Sequence, residues 1–119
     1  MEKVEAIGTL SALAQENRLD IFRLLVEAGT IGMAAGRIGD ELGMASATLS
    51  FHLKEMKNAG IVTCRKEGRS VIYGANFTAM NELIGYLLEN CCRRSEKRRR
   101  GSAAGHRSAP ASSRTSRSG

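Results

Sequence analysis

The chain has 119 residues, three cysteines and a formal net charge of +6. It contains no apolar run near the ~18 residues that a membrane-spanning helix needs. Its first residues, MEKVEAIG, lack the apolar segment of a secretory signal. Three cysteines without an export signal argue against a disulfide framework, and we therefore expect a protein of the reducing cytoplasm.

The positive charge is concentrated at the C-terminus. Residues 93–119 contain nine Lys or Arg and one acid, whereas residues 1–92 carry a net charge of −2. The C-terminal segment has no Leu, Ile, Val or aromatic residue, so it cannot bury the apolar surface that would order it. We therefore predict one folded domain, 1–92, and a basic disordered tail, 93–119. The charge of this tail could add attraction to nucleic acid without sequence preference, or the tail could be only a solvated end.

The first half of the domain predicts three helices. The first has an apolar residue at every third position: Val4, Ile7, Leu10 and Leu13. The second is broadly apolar, with four large residues on one side: Leu19, Phe22, Leu25 and Val26. Gly29 follows it where a C-cap belongs. A short third helix, within AAGRIGDELG, would pack through Ile38 and Leu42 and stop at Gly43.

The second half predicts a longer helix, a hairpin and a last helix. In MASATLSFHLKEMKNAG, Ser46 is the expected N-cap and Gly60 the end, with one stripe turned inward: Leu49, Leu53 and Met56. IVTCRKEGRSVIYG has two β-branched runs joined through a Glu-Gly pair, which is typical of a tight hairpin turn. Asn76 can cap a last helix whose apolar stripe is Phe77, Met80, Ile84, Leu87 and Cys91.

This order of elements predicts a mainly α fold with a β-hairpin, the winged helix-turn-helix. In that fold the second helix of the pair lies in the major groove of DNA, and its N-terminal residues meet base edges. The expected DNA-contacting residues are those on the outer side of the fourth helix and at the hairpin tip: Ser46, Thr48, Ser50, Phe51, Lys54, Lys57 and Arg69. Phe51 suits thymine methyl groups, the hydroxyls suit bases or phosphates, and the lysines suit phosphates.

The basic residues of the folded domain are clustered around this predicted surface. Five of its nine Lys and Arg lie within sixteen positions: Lys54, Lys57, Arg65, Lys66 and Arg69. Such clustering on a net acidic domain indicates a local binding surface, although the same residues could serve only to solvate a helix and a turn. His52 borders the inward stripe, so we expect a partly buried, hydrogen-bonded structural histidine.

The sequence resembles the ArsR/SmtB family of bacterial metal- and metalloid-responsive repressors. The resemblance covers roughly residues 5–92 and is most specific in SFHLKEMKNAGIV, supported by ALAQENRLDIFRLL and KEGRSVIYG. It implies a homodimer that pairs its first and last helices and binds double-stranded inverted-repeat operator DNA. It also implies that an inducer releases the protein from DNA.

The same resemblance directs attention to the cysteine pair in LLENCCRR. The third-helix cysteine motif of some family members would fall near 37–42, where no cysteine occurs, and NFTAMNELIGYLLEN lacks the histidine of the zinc-sensing members. A subgroup of arsenic-responsive repressors carries adjacent cysteines at the position of Cys91 and Cys92, with a third cysteine farther along. The tail of this chain has no cysteine, which puts a three-thiolate site in doubt.

Two convergent thiolates suit soft, thiophilic centres. Arsenite and antimonite take three sulfurs, whereas methylarsenite needs two because carbon fills one position. We therefore expect Cys91 and Cys92 to bind a trivalent arsenic or antimony species as inducer, with Cys64 of either subunit or a small cellular thiol as candidate third ligand. No catalytic cofactor is expected. Cys91 could instead be a packing residue of the last helix.

Three alternatives remain open at this stage. The chain could be a repressor of the same fold that senses thiol oxidation or persulfides between Cys64 and the pair, or one without a cysteine-based sensor. A disulfide within the pair would be strained, because adjacent Cα atoms lie ~3.8 Å apart, below the range usual for disulfides. A thiol enzyme needs an activated cysteine at a loop or helix N-terminus, and here the pair follows a predicted helix instead.

Overall fold

The computed structural model describes residues 1–95. The chain divides into two compact units, Met1–Leu87 and a second that begins at Leu88, and each is described by itself. The first unit is a winged helix-turn-helix, as predicted. Its helices and strands are, in chain order, α1 Lys3–Leu13, α2 Glu16–Ala28, β1 Met33–Ala34, α3 Ala35–Leu42, α4 Ser46–Asn58, β2 Val62–Glu67, β3 Ser70–Ala75 and α5 Phe77–Leu87; a 3-10 turn, Gly29–Ile31, follows α2.

The core lies where α2, α3 and α4 meet the start of β2. Its fully buried residues come from these three helices and from the turn before the strand: Ile21, Leu25, Ile38, Leu53, Met56 and Ile61. The predicted inward stripe of the fourth helix, Leu49, Leu53 and Met56, is buried throughout. This packing fixes the rotation of α4 about its own axis and therefore decides which side chains face outward.

Several helix ends agree with the sequence prediction, but the start of α4 does not. Gly29 is the C-cap of α2, and Gly43 is the C-cap of α3 in the left-handed conformation. Asn76 caps α5, because its Oδ1 accepts a hydrogen bond from the backbone N–H of Ala79. The prediction of Ser46 as the N-cap of α4 is wrong: Ala45 holds that position with extended backbone, and Ser46 is already helical.

Three of the four residues in the apolar stripe predicted for the first helix face away from the core of the chain, whereas the fourth, Leu13, is half-buried against it. Val4 is 80% exposed, and Ile7 and Leu10 are also exposed. The small residues Ala6, Thr9 and Ala12 are buried instead. The stripe predicted for the last helix is divided: Phe77 and Met80 are half-buried against the core, whereas Ile84 and Leu87 are exposed. Large apolar residues exposed together on α1 and α5 are typical of surfaces that bind another protein.

The last helix also ends earlier than predicted. It stops at Leu87, so Cys91 does not belong to its apolar stripe. Asn90 adopts a positive φ of 64°, a conformation that Asn tolerates better than most residues and that ends a helix. Similarly, only part of the predicted α2 stripe is buried, because Leu19 and Val26 are exposed.

The wing is a three-stranded antiparallel sheet in the order β1-β3-β2. The predicted tight turn is present, since Glu67 pairs with Ser70 and leaves Gly68 and Arg69 as a two-residue loop. The strand β1 was not predicted, because two residues are too few to show a periodicity. Gly32 precedes it with a φ of +76°, and a Cβ there would lie 2.5 Å from the carbonyl oxygen of Tyr73. Only glycine allows β1 to approach β3 this closely.

Truncation of the buried face of α2 tests this core. Leu25 is fully buried, whereas Leu19 on the same helix is 45% exposed. We expect Leu25→Ala to lower the free energy of unfolding by about 2–5 kcal/mol, because it removes buried methyl groups and leaves a cavity. Leu19→Ala, the matched control, should cost about 1 kcal/mol or less. Urea unfolding at one fixed protein concentration measures both, and equal losses would contradict this packing.

Candidate nucleic-acid interface

The outer side of α4 presents the side chains that the sequence analysis assigned to DNA. With Leu49, His52, Leu53 and Met56 buried, the helical period of 3.6 residues places the predicted contact residues on the opposite, exposed arc: Ser46, Thr48, Ser50, Phe51, Lys54 and Lys57. Ser46, Ser50, Lys54 and Lys57 follow one another along one edge of this arc. Phe51 stands beside them and is 56% exposed.

The polar groups on this arc are available to a ligand. Within residues 1–95, no protein hydrogen bond or ion pair engages the side chains of Ser46, Thr48, Ser50, Lys54 or Lys57. A helix that exposes three hydroxyls in its first turns and two ammonium groups later can meet base edges with the former and phosphates with the latter.

The wing has cationic side chains that extend into solvent and one, Arg65, that is hydrogen-bonded to the protein. Lys66 and Arg69 are exposed, and Arg69 lies in the two-residue loop at the tip of the hairpin. Arg65 is instead held by the protein. Its Nη2 donates to the carbonyl oxygen of Ile31 at 2.8 Å, and its Nε donates to Glu67 Oε2 at 2.8 Å. Arg65 therefore connects the wing to the turn after α2, whereas no hydrogen bond or ion pair within residues 1–95 engages the side chains of Lys66 and Arg69.

One residue beside this surface escaped the sequence analysis. Arg18, near the start of α2, donates from Nε to His52 Nδ1 at 3.2 Å, across a separation of 34 residues. Its guanidinium carbon lies 5.9 Å from the centroid of the Phe51 ring. The rings of Phe51 and His52 meet edge to face at 5.5 Å. No local sequence pattern predicts this cluster, because only tertiary packing brings α2 against α4.

His52 is the hydrogen-bonded structural histidine that the sequence predicted. It is 7% exposed, and its Nδ1 accepts the bond from Arg18, which requires a neutral imidazole. Removal from water lowers the pKa of His52 below its ordinary value of 6.5, and the positive charge of Arg18 lowers it further. The imidazole is therefore an uncharged support for the recognition helix.

The second unit carries the adjacent cysteines on an irregular segment. The two sulfur atoms lie 3.3 Å apart, both residues are exposed, and neither is in a disulfide. Asn90 and Cys92 both have positive φ, at 64° and 63°. Arg93 Nη1 donates to Asn90 Oδ1 at 3.0 Å, which stabilises the turn around the pair.

Cys64, the candidate third ligand, belongs to the first unit. It lies half-buried on β2 and pairs with Tyr73 on β3. No group of three or more His, Cys, Asp or Glu side chains suited to a metal ion occurs among residues 1–95. In the same range, no helix is long and apolar enough to cross a membrane. Residues 96–119, most of the predicted tail, lie outside the described part of the chain.

Comparison with known proteins identifies the fold and its class. A helix-turn-helix domain family matches residues 13–65, from the end of α1 into β2. An uncharacterised HTH-type transcriptional regulator of Methanocaldococcus jannaschii is 45% identical over 90 residues, which cover 75% of this chain and 99% of that protein. The transcriptional activator HlyU of Vibrio cholerae is 31% identical over 94 residues, covering 77% of this chain and 84% of HlyU. The chain belongs to the HTH-type transcriptional regulators.

A solved structure extends this similarity to three dimensions. The structure of HlyU from Vibrio cholerae superimposes with a TM-score of 0.59 at 33% identity and covers 73% of this chain and 97% of that chain. A putative arsenical resistance operon repressor of Halobacterium salinarum is 36% identical over 63 residues, covering 53% of this chain and 48% of that protein. The relatives are named as regulators of transcription, which agrees with the DNA-binding fold of this chain.

The lowered pKa of His52 predicts a pH-dependent stability. The unfolded chain binds the imidazole proton more readily than the folded one. The contribution of neutral His52 to the stability of the fold is therefore fully present above about pH 6.5. It is lost as the pH falls through 6.5 towards the lower pKa of the folded state. We expect the melting temperature of wild type to fall between about pH 7.5 and 5.5 by more than that of His52→Asn. For each protein, the melting temperature at pH 5.5 is compared with the melting temperature of the same protein at pH 7.5.

The second histidine of the chain, His106, supplies the control for this titration. His106→Asn removes the other imidazole, at a position outside the described residues, and is expected to keep the wild-type pH dependence. Carboxylates titrate in all three proteins and cancel in the comparison. An unchanged pH dependence in His52→Asn would show that His52 does not carry this effect.

Proposed function

We propose that this regulator is a cytoplasmic repressor that binds an inverted-repeat operator as a homodimer and releases it when a trivalent arsenical binds Cys91 and Cys92. The observation that carries the sensor is the 3.3 Å separation between two exposed thiol sulfurs. The observation that carries DNA binding is the exposed polar arc of α4, opposite its buried stripe.

In the proposed complex, α4 lies in the major groove. Ser46, Thr48 and Ser50 meet base edges or phosphates, and Phe51 packs against a thymine methyl group. Lys54 and Lys57 bind phosphates, and Arg69 reaches the backbone or the minor groove from the wing tip. Phosphate contacts position the protein, whereas base contacts specify the sequence.

A homodimer accounts for the apolar residues that the single chain leaves in water. Val4, Ile7 and Leu10 on α1 and Ile84 and Leu87 on α5 are all exposed. Burial of these residues against a second copy would make the free energy of dimerisation more favourable by about 25 cal/mol for each Å² of apolar surface removed from water. A two-fold dimer would present two recognition helices to successive major grooves, ~34 Å apart, and would therefore prefer an inverted repeat.

The cysteine pair favours an inducer whose arsenic atom binds two thiol sulfurs. Methylarsenite carries two exchangeable hydroxyl groups, so binding forms two As–S bonds and releases two water molecules, with no change in oxidation state. Arsenite or antimonite has a third exchangeable position, for which Cys64 of either subunit or a small thiol is the candidate ligand. The similarity to a putative arsenical resistance operon repressor supports this class of inducer.

Release from DNA is a linkage between two sites. An inducer that prefers the DNA-free pose of the dimer weakens operator binding by a coupling of typically ~1–3 kcal/mol. Reciprocity requires that operator DNA weaken arsenical binding by the same factor. The pair begins four residues after the end of α5, a helix proposed to form the dimer, so ligand binding there acts next to the interface in sequence.

Loss of one lysine on α4 tests the DNA-binding role. The probe is a fluorescein-labelled duplex selected by the protein from a random library, with a scrambled duplex of the same composition beside it. We expect Lys54→Ala to weaken binding to both duplexes, because a phosphate contact is lost. The slope of log affinity against log salt should decrease in magnitude by about 0.9 for each contact removed. Lys3→Ala, an exposed lysine on α1, is the control and should keep the wild-type slope.

Substitution of the pair tests the sensor. Fluorescence anisotropy of the selected duplex is followed while arsenite, methylarsenite or zinc is added at fixed salt. We expect wild type to be released by an arsenical, and Cys91→Ser and Cys92→Ser to stay bound because each lacks one of the two sulfurs. DNA binding before the titration verifies that each variant is folded.

The same titration separates the proposed ligand sets. If Cys64→Ser loses the response to arsenite but keeps the response to methylarsenite, Cys64 is the third ligand. Release by mild oxidant or persulfide instead of arsenicals would replace the metalloid sensor with a thiol-redox sensor. Tight binding unaffected by any of these compounds would leave a repressor without a cysteine-based sensor.

A further inference from the structure

The position of Arg18 connects a second helix to the DNA-facing side of α4. Its guanidinium carbon lies 5.9 Å from the centroid of Phe51, a residue that is 56% exposed on the proposed groove-facing arc. DNA in contact with Phe51 would therefore approach this guanidinium as well. Arg18 is in α2, outside the two helices of the helix-turn-helix proper.

The guanidinium retains donors for a ligand. Of its five N–H groups, the one on Nε is used by His52. In the described part of the chain, the terminal amino groups of Arg18 have no hydrogen-bond acceptor and no carboxylate partner. Arg65 makes the contrast clear, because both a carbonyl and a carboxylate accept from its guanidinium. Arg18 thus keeps a full positive charge and unused donors beside the proposed interface.

The neighbours of Arg18 hold it in place without neutralising it. His52 is buried and accepts through Nδ1, which fixes the end of the side chain where Nε lies. The Phe51 ring is within the distance at which a cation is attracted to an aromatic face. A guanidinium oriented in this way is suited to bidentate recognition of phosphate, which a flexible ammonium group does not provide.

We propose that Arg18 is a phosphate-binding residue of the DNA interface that also positions Phe51 for its contact with the bases. The proposal rests on the proposed use of α4 as the recognition helix. The terminal amino groups bind a phosphate on the strand that borders Phe51, and the guanidinium restricts the Phe51 ring to one orientation. DNA binding then orders one continuous cluster, from α2 through Phe51 to the major groove.

The test combines three variants on the selected and scrambled duplexes. Arg18→Gln removes the charge but retains an N–H donor for His52, and Arg18→Lys retains the charge without the planar fork. Arg23→Gln removes an exposed arginine from the same helix and is the matched control. Urea unfolding at one protein concentration accompanies each measurement, so that a loss of fold is not mistaken for a loss of contact.

The salt dependence of affinity is the readout that a purely structural role would not change. For Arg18→Gln the slope of log affinity against log salt should decrease in magnitude by about 0.9 per subunit, since one phosphate contact is lost from each. Arg18→Lys and Arg23→Gln should keep the wild-type slope. An unchanged slope in Arg18→Gln overturns the phosphate contact.

The positioning role is measured by a double-mutant cycle with Phe51→Ala. We expect the loss of preference for the selected duplex to be strongly non-additive between Arg18→Gln and Phe51→Ala, because the second change removes the ring that Arg18 orients. Arg18→Lys should show the same coupling, which keeps the test available if Arg18→Gln fails to fold. Additive losses overturn the positioning role.

The controls separate this inference from the proposed function. If wild type has no preference for any selected duplex, the proposed DNA reading by α4 fails. If wild type binds, and Lys54→Ala lowers the slope while Arg18→Gln does not, only the role of Arg18 fails. The two failures therefore give different patterns in one set of titrations.

Discussion

Burial of one side of α4 is the constraint on which the rest of the interface depends. Leu49, Leu53 and Met56 are locked into the core formed with α2, α3 and the start of β2. A helix held on that side cannot rotate, so its serines, Phe51 and its lysines are fixed outward. Hydrophobic packing thereby determines the orientation of polar side chains that no hydrogen bond or ion pair engages within residues 1–95.

Polar contacts at the middle and at the C-terminal end of α4 complement this packing. Near its middle, Arg18 and His52 connect it to α2 through a hydrogen bond that needs a neutral imidazole. At its C-terminal end, Asn76 Nδ2 donates to the carbonyl oxygen of Gly60, and Asn76 Oδ1 caps α5. One asparagine therefore links the turn after α4, the proposed recognition helix, to the start of the helix proposed for dimerisation. Such a link offers a physical route by which a change at α5 reaches α4.

The proposed DNA interface is supported by similarity to known proteins, whereas the proposed sensor is supported by the chemistry of the cysteine pair. The matched helix-turn-helix domain spans residues 13–65 and includes all of α4, whereas Cys91 and Cys92 lie beyond it. The family assignment therefore bears on DNA binding, and the inducer rests on the chemistry of the pair. Relatives named as an activator and as an arsenical repressor show that one fold is used with different regulatory outcomes.

The sequence by itself determined the order of the helices and of the hairpin, the inward stripe of α4, the hairpin turn and the adjacent thiols. These features depend on local periodicity, on glycine and on neighbours along the chain. The apolar stripes of α1 and α5 were also visible, but periodicity does not distinguish a face turned to the core from one turned to a partner.

Only the tertiary structure decided which face of α1 is buried, where α5 ends and how Arg65 is used. It also paired β1 with β3 and brought Arg18 to Phe51 and His52, 33 and 34 positions away in sequence. Contacts at that separation depend on how helices pack, and packing is a property of the whole core that no local stretch of sequence encodes.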